Sequence, residues 1–507
     1  MDIKRAKQEI RDSIEAYLKK DAYGEYMIPA VRQRPILLMG PPGIGKTQIM
    51  EQIARECGIG LVSYTITHHT RQSAIGLPFI EKRTYGGEEV SVTEYTMSEI
   101  LSSVYRLMER TGLQEGILFL DEINCVSETL APMMLQFLQC KTFGNQALPE
   151  GWLIVAAGNP PEYNKSVRDF DVVTLDRVKR IDVEEDYGVW KEYARRKNLH
   201  GAILSYLDIK KDNFYRIENT ADGLQFATAR GWEDLSELLY AYETLGIRAD
   251  REVVGQYIQM PRIAKDFANY LEMFYKYQKT YHVEGILSGT WENITVLELR
   301  EAPFDEKLSV MGLVLSRLSE EARNTRRQDA LTDALHTSLT EFREKIADAP
   351  PLTVLDQLLW KRRTAMKQAK EAGQLDKESR DLKQREINAL EDYRQRLDRE
   401  AVAPEGAMDA VRGWFGEEVE RRKAVAMETK DMFDNAFRFL ETTFGNSQEL
   451  VIFVTEITVG YNTSWFVEQF GCDAYFRHNR ELLFDSTRHR IREEIAAAKA
   501  AEQEENT

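Results

Sequence analysis

The chain has 507 residues, 43% apolar and 30% charged, a length and balance that suit roughly two to four folded domains and exclude wholesale disorder. A net charge of −16, from 67 basic and 83 acidic residues, argues against broad non-specific nucleic-acid binding while leaving room for a local basic channel. No apolar run approaches the roughly 18–20 residues of a membrane helix, no apolar signal core follows Met1, and the four scattered cysteines (Cys57, Cys125, Cys140, Cys472) form no CxxC pair, which excludes a disulfide framework and suits reduced thiols in a cytoplasm.

Residues 1 to about 190 alternate helical patterns with short apolar runs, which predicts an α/β domain around a parallel sheet. Ile3, Ile10, Ile14 and Leu18 mark one face of an opening helix. Ile36–Met39, Leu61–Thr67, Ile117–Leu120 and Leu153–Ala157 read as buried strands. After the second of these, two β-prone runs flank Gly86-Gly87, a hairpin signal. Thr96 and Glu99 then have the spacing of a capping box, opening a helix with Ile100, Leu101, Val104 and Met108 on one face. Lys141–Leu148 holds a second hairpin, turning at Gly144-Asn145. Residues from about 191 to 283 read as helical, with Leu235, Leu238, Leu239 and Tyr240 on one face. The rest is mostly helical too. Residues 361–400 are highly charged, with a sparse stripe of Leu375, Leu382, Leu390 and Leu397, and read as a helical hairpin breaking near Gly373. Residues 433–485 turn aromatic again, as a packed helical core would. The small acidic tail after Ala496 is expected to fray.

Three segments carry chemistry. Gly40-Pro41-Pro42-Gly43-Ile44-Gly45-Lys46-Thr47 fits G-x-x-x-x-G-K-[ST], after a strand and before the helix that begins at Gln48. Its glycines let successive N–H groups turn toward a phosphate at a helix N-terminus. Lys46 is placed to reach the β- and γ-phosphates and Thr47 to hold Mg²⁺. The apolar run Gly116–Leu120 ends in Asp121-Glu122, one carboxylate suited to Mg²⁺ and one to polarising a water. Leu153–Gly158 ends in Asn159-Pro160, whose amide either orients that water or simply forms a turn.

These segments, with Thr174-Leu-Asp-Arg-Val-Lys-Arg180 and Ala227-Thr-Ala-Arg-Gly-Trp-Glu-Asp-Leu235, resemble the AAA+ ATPases, and within them the MoxR type, over residues 1 to about 280. The resemblance implies a P-loop three-layer α/β nucleotide-binding domain over 1–190, a small all-α lid over 191–283 and a C-terminal mostly helical domain over 284–507. It makes ATP and Mg²⁺ the cofactors, held by Gly40, Pro41, Pro42, Gly43, Ile44, Gly45, Lys46, Thr47 and Gln48, with Thr47 and Asp121 on the metal. Glu122 falls on the catalytic carboxylate, Asn159 on the strand-end polar residue called sensor 1, and Arg177 on the finger that reaches a neighbour's γ-phosphate. Lys179 and Arg180 lie close enough to compete for that last role. Arg230 falls on the lid arginine called sensor 2, with Ala229 where a proline is often found. The resemblance further implies a homo-hexameric ring, pore-facing hairpins, and chaperone-like remodelling of a protein client, often with a von Willebrand factor A domain partner. A nucleic-acid motor or restriction-type subunit is the alternative, opposed by the acidic balance. A nucleotide-gated scaffold is a third, opposed by the intact Glu122 and Asn159.

Weaker constellations carry little. His68-His69, adjacent on a stretch read as extended, would point its rings to opposite sides and has no suitably spaced partner for zinc. Thr70-Arg71-Gln72-Ser73 either lines a pore or caps a helix, and Lys361-Arg362-Arg363 reads as a helix face.

Overall fold

A computed structural model describes residues 1–68, 72, 74, 76–86, 88–143, 146–163, 170–220 and 223–480. His69 to Arg71, Ser73, Gly87, the turn at Gly144-Asn145 and the tail after Ala496 lie outside the described residues. The chain divides into two units, the first comprising Met1–Val189, Thr228–Arg230 and Gln357–Ile387.

Helix α1 (Ile3–Leu18) is capped by Asp2, whose carboxylate accepts the Arg5 N–H, and it buries Ala6, Ile10 and Ile14. Strand β1 (Ile36–Met39) is buried on both faces and leads through the glycine loop into α2 (Lys46–Cys57). Strand β2 (Gly60–Thr65) follows, then the ribbon of β3 (Pro78–Tyr85) and β4 (Glu88–Tyr95), then α3 (Glu99–Thr111). Strand β5 (Gly116–Asp121), α4 (Ala131–Cys140), the short pair β6 (Thr142–Phe143) and β7 (Gln146–Ala147), and β8 (Trp152–Gly158) come next. A single-turn α5 (Val172–Leu175) and β9 (Lys179–Asp182) complete the core.

The five parallel strands run in the order β2-β5-β8-β1-β9. Strand alternation divides their side chains between two layers. Leu37, Leu118, Leu120, Ile154 and Ala156 pack with Ile100, Leu101 and Val104 of α3 and with Met134 and Phe137 of α4. Ile36, Leu38, Ile117, Phe119, Leu153 and Val155 pack on the other side with Ile10 and Ile14 of α1 and with Ile49 and Ile53 of α2. Helices on both faces of a parallel sheet give the expected three-layer α/β fold.

Three local expectations need correction. Strand β2 ends at Thr65, and Ile66–His68 form a 3₁₀ turn, so His68 is not on extended backbone. Buried Ile66 pulls the chain inward there. The capping box is not made either. The Thr96 hydroxyl accepts the Leu77 N–H at 2.8 Å, which leaves Ser98 at the N-cap of α3 with its own hydroxyl turned to the Ala74 carbonyl. The stretch read as helical from about 191 also contains an antiparallel hairpin, described below.

The second unit comprises Trp190–Ala227, Gly231–Asp356 and Asn388 onward. It starts within α6 (Tyr187–Arg196) and continues with α7 (Gly201–Ile209), β10 (Arg216–Thr220), β11 (Gly223–Ala227) and α8 (Ala229–Leu245). There follow α9 (Arg251–Tyr257), α10 (Pro261–Thr280), α11 (Val283–Leu287), α12 (Asn293–Glu301) and the 42-residue α13 (Phe304–Lys345). Helices α14 (Pro351–Glu371) and α15 (Lys377–Arg399) form the charged hairpin, broken at Gly373 with φ 70°, and its residues Gln357–Ile387 belong to the first unit. Helices α16 (Ala407–Phe444), α17 (Gln448–Val459) and α18 (Tyr461–Phe470) follow, and residues 473–480 are helical too. Phe433 stacks on Phe466 at 4.9 Å and Phe437 meets Phe453 edge-on at 5.2 Å, the aromatic core expected from the sequence. Among the described residues no single helix is long and apolar enough to cross a membrane. Helices α17 and α18 pass that test only together, bent by 88°, and they bury Phe453, Val454, Phe466 and Val467.

Candidate active site

The sheet order makes the site. Strands β5, β8 and β1 are consecutive neighbours, so the residues just past their C-terminal ends converge at one edge. Met39 pairs with Gly158, which sets the Gly40–Gly45 loop beside Asn159, and Thr65 pairs with Asp121. In open α/β sheets ligands bind at this edge.

The loop conformation explains its glycines. Gly43 and Gly45 have φ 76° and 94°, the left-handed region that side chains resist. A Cβ on Gly40 would meet the Val183 carbonyl at 2.7 Å. The loop is therefore a backbone cradle opening onto the first turn of α2.

Lys46 is 7% exposed, and its ammonium donates to the Gly40 and Pro41 carbonyls at 2.7 Å each and to Asn159 Oδ1 at 2.9 Å. Burial pulls its pKa down to about 8. The positive charge of Arg230 pushes the same way, and Asp121 and Glu122 oppose it. The Thr47 hydroxyl donates to Asp121 Oδ2 at 2.9 Å, while Asp121 Oδ1 accepts the Glu122 N–H at 2.9 Å. This hydroxyl–carboxylate pair is a hard-oxygen donor set of the kind Mg²⁺ takes, so the residues present fit the metal, as the cradle fits a phosphate.

Glu122 is one of few non-glycine residues with positive φ, at 56°, a sparsely populated conformation that sites tend to hold. Its carbonyl accepts the Cys125 N–H at 2.9 Å, and its side-chain Oε2 accepts the Thr67 hydroxyl at 2.8 Å. Buried Asn124 donates from Nδ2 to the Asn159 carbonyl at 2.8 Å and anchors the residue past β8. Thr67 and Asn124 escaped the sequence reading. Their signal was only that each is a polar residue just past the tip of a strand.

Lys46, Thr47, Asp121, Glu122 and Asn159 thus come together. Arg230, at the start of α8, is exposed, and a Cβ on Gly43 would lie 3.5 Å from its Cβ. Arg177 does not join them. It sits in the turn before β9, is exposed, and donates to Gln139 Oε1. No hydrogen bond or ion pair among the described residues links it to Lys46, Thr47, Asp121, Glu122 or Asn159. Its two rivals are held by carboxylates: Lys179 by Glu9 at 2.5 Å, and Arg180 by Asp182 at 2.8 Å.

A family model described as the ATPase family associated with various cellular activities (AAA) matches residues 36–173, the span from β1 into α5. No curated protein matches the chain. The parallel core, its glycine cradle and the matched span identify an AAA+ ATPase domain, and with it an enzyme that binds nucleotide and hydrolyses ATP.

Proposed function

We propose that the chain is a MoxR-type AAA+ ATPase that assembles into a homo-hexameric ring and uses Mg²⁺-dependent ATP hydrolysis to remodel a protein client, a von Willebrand factor A domain protein being the expected partner. The lid is residues 191–283 and the C-terminal helical domain 284–507. The observation that carries the reading is the convergence of Lys46, Thr47, Asp121, Glu122 and Asn159 at one sheet edge while Arg177 stays exposed and apart.

Phosphoryl transfer to water needs positioning and charge neutralisation rather than covalent chemistry. Backbone N–H groups of Gly43, Ile44, Gly45, Lys46 and Thr47 bind the phosphates, with the Lys46 side chain adding charge. Thr47 and Asp121 would hold Mg²⁺, which would supply neutralisation of the phosphates' negative charge. Glu122 takes the proton of the attacking water at its carboxylate, held by Thr67, and Asn159 orients that water. Arg230 approaches the loop within its own chain. Arg177 reaches the site of the adjacent subunit, a role supported by its exposure and its neutral Gln139 partner, whereas Lys179 and Arg180 are engaged by carboxylates.

Arg177→Ala should leave nucleotide binding intact and reduce turnover by about 10³–10⁵, the worth of an arginine finger. Glu122→Gln should keep binding and lose about 10²–10⁴ in rate. Mixed together, the two inactive variants should regain activity, because some interfaces then pair an intact Glu122 with an intact Arg177. A verified monomer hydrolysing ATP at the full rate, and losing it on Arg177→Ala, would refute the ring.

A further inference from the structure

The helical unit holds a cavity of about 740 Å³ with walls from α7, α8 and α10 to α13. That volume lies within the range of ligand pockets. The carboxylates of Glu243, Glu284, Glu292, Glu298 and Glu320 line it, against the single guanidinium of Arg317.

Several of these charges are already satisfied. Arg317 is held by Glu284 at 3.2 Å, by Glu320 at 2.6 Å and by Glu321 at 3.1 Å. Glu243 lies 2.9 Å from Nε2 of buried His200. His200 Nδ1 accepts the Ala202 N–H, which assigns the ring proton to Nε2 and makes it a donor to Glu243. The carboxylates of Glu292 and Glu298 have no hydrogen-bond or ion-pair partner among the described residues.

Thr295 supplies an independent observation. It lies on the first turn of α12, three residues after the N-cap Glu292 and three before Glu298, and all three line the cavity. It is only 8% exposed, yet its hydroxyl has no partner among the described residues. The side chain is nine-tenths buried while its hydroxyl oxygen keeps solvent access at the cavity wall, where it is open to a ligand.

Four aromatic residues, Tyr240, Phe274, Tyr281 and Trp291, line it too, among polar and aliphatic neighbours such as Gln278 and Ile294. Aromatic faces and carboxylates together favour an organic cation over a hydrated metal ion. Trp291 already carries the Arg438 guanidinium 5.0 Å from its ring centre.

We infer that this cavity binds an aliphatic chain bearing cationic nitrogen, its charge set between Glu292 and Glu298, its stem on the aromatic side chains and a donor on Thr295. Two sources carry that chemistry, a lysine-rich segment of a protein and a free polyamine.

Calorimetric titration of the full chain at physiological salt tests it, with spermidine and trilysine amide as probes. Non-specific attraction to an acidic protein is screened over about 8 Å under those conditions. One-to-one saturable binding of at least one probe is expected. Tighter trilysine binding assigns a protein segment, and equal or tighter spermidine binding assigns a polyamine. Glu292→Gln with Glu298→Gln should weaken binding about tenfold, each exposed carboxylate being worth a factor of about two to five. Glu298→Gln alone should weaken it severalfold, and so should Thr295→Val. Asp409→Asn, an exposed carboxylate on α16 outside the cavity, should change nothing. Absence of saturable binding by both probes, or equal affinity in the parent and the Glu292/Glu298 double variant, would overturn the assignment.

Discussion

Replacing Thr67 by valine keeps the β-branched shape and deletes one hydroxyl, the group that donates to Glu122 Oε2 at 2.8 Å. The Glu122 backbone stays fixed, since its N–H is bound by Asp121 Oδ1 and its carbonyl by the Cys125 N–H, each at 2.9 Å. Only the carboxylate gains freedom. A hydrogen bond to a charged acceptor is worth about 1.5–3 kcal/mol when shielded. Thr67 is exposed, so solvent screening reduces that to about 1–1.5 kcal/mol. If the bond exists to aim the base, the loss appears in the chemical step as a five- to tenfold fall in kcat, by the conversion of about 1.4 kcal/mol per factor of ten. Steady-state ATP hydrolysis should show that fall with KM and nucleotide Kd nearly unchanged, and Thr67→Ser should restore the rate. An unchanged or increased kcat in Thr67→Val would refute the reasoning, because the bond would then be idle or would be holding Glu122 away from its work.

Lys46 carries its proton in the free protein only below about pH 8, whereas the unfolded chain keeps it to the ordinary lysine value of 10.5. Nucleotide affinity should therefore weaken as pH rises above about 8, and Lys46→Arg, which stays charged, should lack that inflection in a binding–pH profile. The sign for folding is opposite. The folded state holds the proton less firmly than the unfolded one, so Lys46 contributes stability that grows between about pH 8 and 10.5, which parent and Lys46→Met unfolding curves across that window can check. Asn124→Ala should cost about 1–2 kcal/mol in urea unfolding, because the bond from its buried amide to the Asn159 carbonyl is lost. It should also lower kcat more than it changes KM, as Asn159 loses its anchor.

Phosphate chemistry dictates residue types at fixed spacing, which is why Gly40–Thr47, Asp121 and Glu122 stand out in the sequence as a candidate site. The apolar runs that became β1, β5 and β8 were legible for a related reason, since a strand covered on both faces has little freedom in composition. Thr67 and Asn124 were not, because their roles depend on register. Only the pairing of Thr65 with Asp121 brings the residues just past β2 to Glu122, and no local pattern encodes that pairing. The capping box failed by competition. Thr96 has the right spacing to Glu99, but the Leu77 N–H, 19 residues earlier, takes its hydroxyl. The β10–β11 hairpin was passed over although Asp222-Gly223 is a turn dipeptide, because helical periodicity on both sides dominated the reading.

The β3–β4 ribbon has an energetic consequence. Eight paired positions join it, yet every residue of β3 is exposed, and only Val92 and Glu94 of β4 are even half-buried. Its side-chain ties are surface ion pairs such as Lys82–Glu89 at 3.5 Å and Arg83–Glu94 at 3.1 Å, which salt screens. An isolated two-stranded ribbon is marginal in water. Its amides should therefore exchange with deuterium through openings that leave the five-stranded sheet intact, and faster as ionic strength rises. The same exposed strand edges give it a second use for that low stability. A surface that covers the ribbon adds backbone pairing and apolar contact at Phe79, Ile80 and Val90, and protection from exchange would then report which surface covers it.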